Sequence, residues 1–199
     1  MLEPEVETRP WAEQLIADDE SYRAQLGYLF ERSPFYREKL SAAGVVSAEA
    51  AGGLAEIAEL PLTEKQELRE TLTPENPFGA HLCAEPGEII RIYSTSGTTG
   101  APSYIPLTAS DLGNWVTASA RSYAASGIAA SQRIVSAYNA GPFAAGAALA
   151  SFERIGLTHI PVGTGNTALL LRAIELLRPE AAVLTPSYVA HLIEAAAER

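Results

Sequence analysis

The chain has 199 residues, enough for one large domain or a domain with a small appendage. Nearly half of it is hydrophobic (47%), so a sizeable core can form, and a net charge of −10 argues against non-specific binding to nucleic acid or anionic membrane. Cys83 is the only cysteine, which excludes a disulfide framework or a cysteine metal cluster within one chain. His81, His159 and His191 are scattered, with no HxH or HExxH spacing, and read as surface or core residues rather than metal ligands. The acidic N-terminus (Glu3, Glu5, Glu7) does not read as a secretory signal, and no apolar run is long enough to span a bilayer. A soluble, reducing, cytoplasmic setting is the simplest expectation.

Residues 1–79 read as an N-terminal helical segment. Trp11, Leu15, Tyr22, Leu26, Leu29 and Phe30 keep roughly helical spacing and predict one apolar stripe. Ser33 is a candidate N-cap with Pro34 at the first helical position, and the helix it opens ends at Gly44. A weaker helix spans Ser47 to Ile57, interrupted at Gly52-Gly53. Thr63 to Gln66 reads as a capping box with Thr63 as the cap. Residues 73–77 form a turn or linker.

From residue 80 the texture becomes α/β. Ile89 to Tyr93 is β-branched or aromatic and predicts a strand. Tyr104 to Leu107 predicts a second short strand, and a tight loop between the two would make a hairpin. Thr108 caps a helix whose inner face carries Leu112, Trp115, Val116, Ser119 and Tyr123. Strands at 133–138, 157–162 and 181–185 then alternate with helices at 142–155, 167–177 and 187–199, the helix from residue 167 with Asn166 as its cap. This alternation predicts a mainly parallel sheet with helices on both faces, right-handed crossovers, and ligands at the carboxyl ends of the strands. The loops 94–103, 139–143 and 185–187 and the turn 163–166 are expected at that edge.

The loop between the first two strands holds the densest chemistry. Ser94, Thr95, Ser96, Thr98 and Thr99 supply five hydroxyls, and Gly97 and Gly100 allow positive φ and close approach of backbone to a ligand. Clustered hydroxyls and free N–H groups suit a polyphosphate. Composition alone leaves open a Ser/Thr/Gly-rich turn with no ligand. The common phosphate motifs fail: no G-x-x-x-x-G-K-[ST] is present, and Gly163-Thr-Gly165 lacks the third glycine of a dinucleotide fingerprint.

Tyr93-Ser-Thr-Ser-Gly-Thr-Thr-Gly-Ala-Pro102 instead resembles the phosphate loop of the adenylate-forming enzymes, matching [ST]-S-G-[ST]-T-G-x-P at every position. Most members carry lysine after the proline. This chain has Ser103, and a small hydroxyl residue there is common in the phenylacetate-CoA ligase branch. Residues 33–37, 137–143, 160–167 and 185–188 resemble further stretches of that branch, so the likeness runs over nearly the whole chain.

The resemblance implies an ATP-dependent carboxylate–CoA ligase. A carboxylate, such as phenylacetate or another aromatic acid, would be joined to AMP with release of pyrophosphate and then passed to coenzyme A. Thr95, Ser96, Thr98 and Thr99 would hold the β- and γ-phosphates, with Gly97 and Gly100 shaping the loop. Tyr138, Gly141, Pro142 and Phe143 would line the acyl pocket, although sheet-edge packing explains any one of them equally well. The family's magnesium ligand and catalytic lysine are expected downstream of this chain, so no catalytic residue is assigned within it. The chain therefore reads as the N-terminal portion of such an enzyme, inactive by itself, and a homodimer is compatible with the resemblance. Two other readings stay open: an adenylating enzyme whose acceptor is a protein thiol, and a non-catalytic nucleotide-binding module.

Overall fold

A computed structural model describes residues 1–95, 103–138 and 145–198. The described residues fall into two compact units. One comprises residues 4–92 and 103–108; the other comprises residues 1–3, 93–95 and 109–198.

The first unit is mainly helical. After a short helix α1 (Pro4–Glu7), α2 runs from Trp11–Arg32 and packs on α3, Pro34–Ala42. The Ser33 hydroxyl, fully buried, accepts a hydrogen bond from the Tyr36 amide at 3.2 Å and so caps α3, as the Ser-Pro pair predicts. Leu26 and Leu40 are the buried residues of these two helices. The predicted stripe on α2 is only partly inward: Trp11 is 71% exposed and Leu15 40%. The weak helix expected over 47–57 is two 3-10 turns instead, Glu49–Ala51 and Leu54–Glu59. The second is pinned to α2 by Asp19, whose carboxylate accepts from the Leu54 amide at 2.6 Å and from Arg23 Nε at 2.7 Å.

Helix α4 (Lys65–Glu70) begins one residue later than predicted. Glu64 is its N-cap rather than Thr63, and the Glu67 carboxylate accepts from the Glu64 amide at 2.6 Å. Lys39 of α3 pairs with the same Glu67. Strands β1 (Ile89–Ser94) and β2 (Tyr104–Thr108) then pair with each other in a two-stranded sheet.

The second unit is a parallel sheet layered between helices. Strand order is β4-β3-β5, with β3 (Arg133–Ser136) at the centre, β4 (Thr158–Pro161) on one side and β5 (Ala181–Val183) on the other. Both pairings are parallel, with Ser136 opposite Pro161 and Val183. Successive residues of β3 feed opposite faces, as strand geometry requires. Ile134 packs with Ala120 of α5 (Ala109–Ala125) and Phe152 and Ile155 of α6, Ala145–Ile155. Val135 packs with Leu170 and Leu171 of α7 (Thr167–Leu177) and Leu192 of α8, Pro186–Ala197. Helices thus cover both faces. The step from β3 to β4 runs through α6; the return across β3 to β5 runs through α7 on the other face. A reversal of direction matched by a reversal of face keeps one crossover hand.

Strand β1 pairs with β2, as the sequence predicts, and the parallel sheet has three strands among the described residues.

Candidate functional site

The site is built at the carboxyl edge of β3, β4 and β5. Beyond β3 the chain continues through buried Ala137 to half-buried Tyr138. Beyond β4 it turns through Gly163 and Gly165, both with φ near +80°, a conformation that glycine adopts without strain. Asn166 ends that turn and caps α7, its Oδ1 accepting from the Leu169 amide at 2.9 Å. Beyond β5, Thr185 is the N-cap of α8 and Pro186 takes its first position, where a missing N–H costs nothing.

Ala137, Tyr138, Thr164, Gly165, Leu184, Thr185 and Tyr188 enclose a cleft of about 240 Å³. The Tyr188 and Thr167 hydroxyls lie 3.1 Å apart beside it, holding the first turns of α8 and α7 together. The amino ends of both helices open at this edge. Their partial positive charge favours an anionic group there, locally opposing the net charge of −10. The volume is at the small end for a ligand pocket, so the cleft fits part of a ligand rather than a whole nucleotide.

Tyr138 also borders a second, wider cleft of about 490 Å³ on the α6 face. Leu149, Ala150 and Glu153 of α6 form one wall, and His159, Pro161, Val162 and Gly163 form the other. His159 Nε2 lies 2.7 Å from the hydroxyl of fully buried Ser136. Its ring meets Phe152 edge-on, centroids 5.0 Å apart. Burial pushes the His159 imidazole below its ordinary pKa, and the charge of Glu153 opposes that only in part.

Of the residues singled out in the sequence, Tyr138 is placed in both clefts and Thr95 follows directly on β1, half-buried. Ser96, Gly97, Thr98, Thr99, Gly100, Gly141, Pro142 and Phe143 lie outside the described residues. The end of β1 is anchored by Tyr93, 2% exposed, whose ring meets Trp115 of α5 edge-on at 5.7 Å. The turn 163–166 and the segment 185–188 both reach the cleft, as their position after strands predicts. Ser136 and His159 were not legible as a pair. They are 23 positions apart and meet only because β3 and β4 are parallel neighbours. No group of three or more His, Cys, Asp or Glu among the described residues could hold a metal ion. Nor is any described helix long and apolar enough to cross a membrane.

No protein-family model matches the chain. It is similar to the phenylacetate-coenzyme A ligase of Thermus thermophilus, 36% identical over 196 residues, covering 98% of this chain and 42% of that protein. It is similar also to the phenylacetate-coenzyme A ligase of Escherichia coli, 34% identical over 194 residues, covering 97% of this chain and 43% of the relative. Among solved structures it resembles a 2-hydroxyisobutyryl-CoA ligase in complex with 2-HIB-AMP and CoA, with a TM-score of 0.89 and 32% identity. That match covers 98% of this chain and 42% of the ligase. The chain thus spans about two-fifths of the length of the relatives it matches, their N-terminal part.

Proposed function

We propose that this chain, a homologue of the phenylacetate-CoA ligases, supplies the phosphate loop and part of the acyl site of an ATP-dependent carboxylate–CoA ligase. The activity forms an acyl-adenylate and pyrophosphate, then a CoA thioester, with an aromatic acid such as phenylacetate as the carboxylate. The observation that carries this reading is the 36% identity over nearly the whole chain to a phenylacetate-coenzyme A ligase, together with the contiguous loop match at residues 93–102.

Within it, Thr95, Ser96, Thr98 and Thr99 hold the β- and γ-phosphates by hydroxyl and amide donors, and Gly97 and Gly100 let the backbone approach them. The work of the loop is to position and neutralise the leaving pyrophosphate. Tyr138, Gly141, Pro142 and Phe143 form the acyl wall. Magnesium would enter with ATP, its protein ligand lying outside this chain. Residues 1–79 act as a helical segment and 80–199 as the α/β part that carries the site. The working location is the cytoplasm, and two copies pairing as a homodimer is compatible with this reading. The chain by itself binds ATP without turning it over.

The test is equilibrium binding of ATP to the 199-residue chain and to Thr98→Val, which keeps the shape and removes the hydroxyl. Loss of one hydrogen bond to a charged phosphate predicts binding weaker by about ten- to a hundredfold. Equal affinity of the two proteins rejects the phosphate role. Robust carboxylate-dependent pyrophosphate release by the chain rejects the claim that it does not turn over.

A further inference from the structure

The wider cleft between α6 and β4 carries His159 in its wall, and the ring is held by a hydrogen bond whose sense follows from its surroundings. Ser136 is fully buried, and among the described residues its hydroxyl meets only His159 Nε2, at 2.7 Å. A buried hydroxyl hydrogen with no acceptor costs about 1–3 kcal/mol. The Ser136 O–H therefore donates, and Nε2 accepts. A neutral imidazole has one donor and one acceptor nitrogen, so Nδ1 carries the hydrogen. Burial keeps the ring neutral by lowering its proton affinity. Phe152, edge-on at 5.0 Å, fixes the ring plane. His159 Nδ1–H has no protein acceptor among the described residues.

The rest of the wall narrows what that donor can meet. Leu149, Ala150, Pro161 and Val162 are apolar, and among the described residues of the lining Glu153 alone carries a charge. An anionic oxygen would be repelled by Glu153. A neutral oxygen, such as a hydroxyl or an ether, would be accepted, and a hydroxyl could donate onward. Tyr138 stands between this cleft and the narrower one at the carboxyl edge. A ligand passing Tyr138 can thus keep its charged end at the helix amino ends and its apolar end against α6.

We propose that the α6–β4 cleft is a subsite for the distal part of the acyl group, and that His159 is a specificity-determining donor selecting acids with a neutral oxygen remote from the carboxylate. This rests on the ligase reading above. The substrate class it names is hydroxy- or alkoxy-substituted aromatic acids in preference to the unsubstituted ones.

The test uses the ¹⁵N-labelled 199-residue chain, with 4-hydroxyphenylacetate and phenylacetate as probes and ATP as a separate probe. Ring-nitrogen NMR should show His159 as the Nδ1–H tautomer, and 4-hydroxyphenylacetate should shift that signal more than phenylacetate does. The hydroxy acid should bind about three- to tenfold tighter, the value of one neutral hydrogen bond. In His159→Phe, which keeps a flat ring beside Phe152, the difference between the two acids should shrink below about twofold. An Nε2–H tautomer, equal affinities in the unaltered chain, or a preference that survives His159→Phe overturns the proposal. If His159→Phe does not fold, the tautomer and the two affinities of the unaltered chain decide. ATP binding without binding of either acid overturns the subsite and leaves the ligase reading standing; binding of neither ATP nor acid overturns both.

Discussion

Tyr93 occupies the space in which a Cβ on Gly146 would stand. Such an atom would lie 2.9 Å from the Tyr93 hydroxyl oxygen and 3.1 Å from its Cε1. Tyr93 cannot easily retreat, since it is 2% exposed and its ring meets Trp115. Alanine would ordinarily favour a helix over glycine by about 1 kcal/mol, but overpacking of a filled core costs about 1–3 kcal/mol. Gly146→Ala should therefore lower Tm, by roughly 2–6 °C for a chain of this size. Tyr93→Phe removes the nearest atom, so the double substitution should cost less than the sum of the two singles. An unchanged or raised Tm in Gly146→Ala would show that the ring has room to move. Because Tyr93 sits two residues before Thr95, the same measurement probes what holds the end of β1.

The Tyr22 hydroxyl oxygen is buried with no hydrogen-bond partner among the described residues. Burial, more than the nearby charge of Glu56, raises its pKa, so the phenol stays protonated with nowhere to donate. An unpaired buried polar atom opposes folding. Tyr22→Phe should be neutral or stabilising by up to about 1 kcal/mol, read from urea unfolding at constant slope. A clear loss of stability would mean the hydroxyl has a partner.

Three carboxylates tie distant segments together and should make the fold sensitive to acid. Asp19 is held below the ordinary carboxylate range first by Arg23, then by the Leu54 amide. Glu67 is lowered first by Lys39, then by the Glu64 amide. Glu180 is lowered first by the Arg133 amide at 2.8 Å, then by the Arg133 guanidinium at 2.7 Å. For a depressed carboxylate the stability is present above the unfolded pKa, about 4, and is lost as pH falls through the folded value. The contribution of these three carboxylates should thus hold steady through neutral pH and drop below about pH 4, whereas the half-buried imidazoles of His81 and His159, held below the ordinary value, should begin a separate loss below about pH 6.5. Asp19→Asn should flatten that drop. All three groups are solvent-accessible, so added salt should weaken the ion-pair part and spare the amide hydrogen bonds. A midpoint independent of pH down to 3 would contradict this account.

Much of the fold was legible in the sequence because its punctuation is local. Ser33-Pro34 opens α3, Asn166 caps α7, and α6 stops before Gly156, each by chemistry confined to a few residues. The alternation of strand and helix after residue 109 carries the parallel sheet in the same way. Where the readings missed, a distant segment decided. Trp11 keeps helical spacing with Leu26, yet nothing in its own unit covers it. The segment 47–57 breaks at Gly52-Gly53, and the Asp19 carboxylate and Glu56 then settle the second turn. The loop at 93–102 stands out in the sequence as a contiguous pattern, and most of it lies outside the described residues. The clefts beside Tyr138 do not stand out, since their walls come from four separate stretches, and Ser136 meets His159 only through strand register.

Asn166 links the stability of α7 to the shape of the narrower cleft. Its side chain accepts from the Leu169 amide at 2.9 Å, and its carbonyl accepts from the Leu170 amide at 3.0 Å. Thr164 and Gly165, which line the cleft, precede it directly. Asn166→Ala keeps the carbonyl and removes the cap, which should cost about 1 kcal/mol. Asn166→Asp should retain most of the stability, because aspartate caps as well and its charge suits a helix amino end. Hydrogen exchange locates the effect: the Leu169 amide should lose protection in Asn166→Ala by more than the global change accounts for, while amides of α8 follow the global change alone. Uniform loss across both helices would mean that the cap stabilises the unit as a whole and does not hold the cleft-side turn locally.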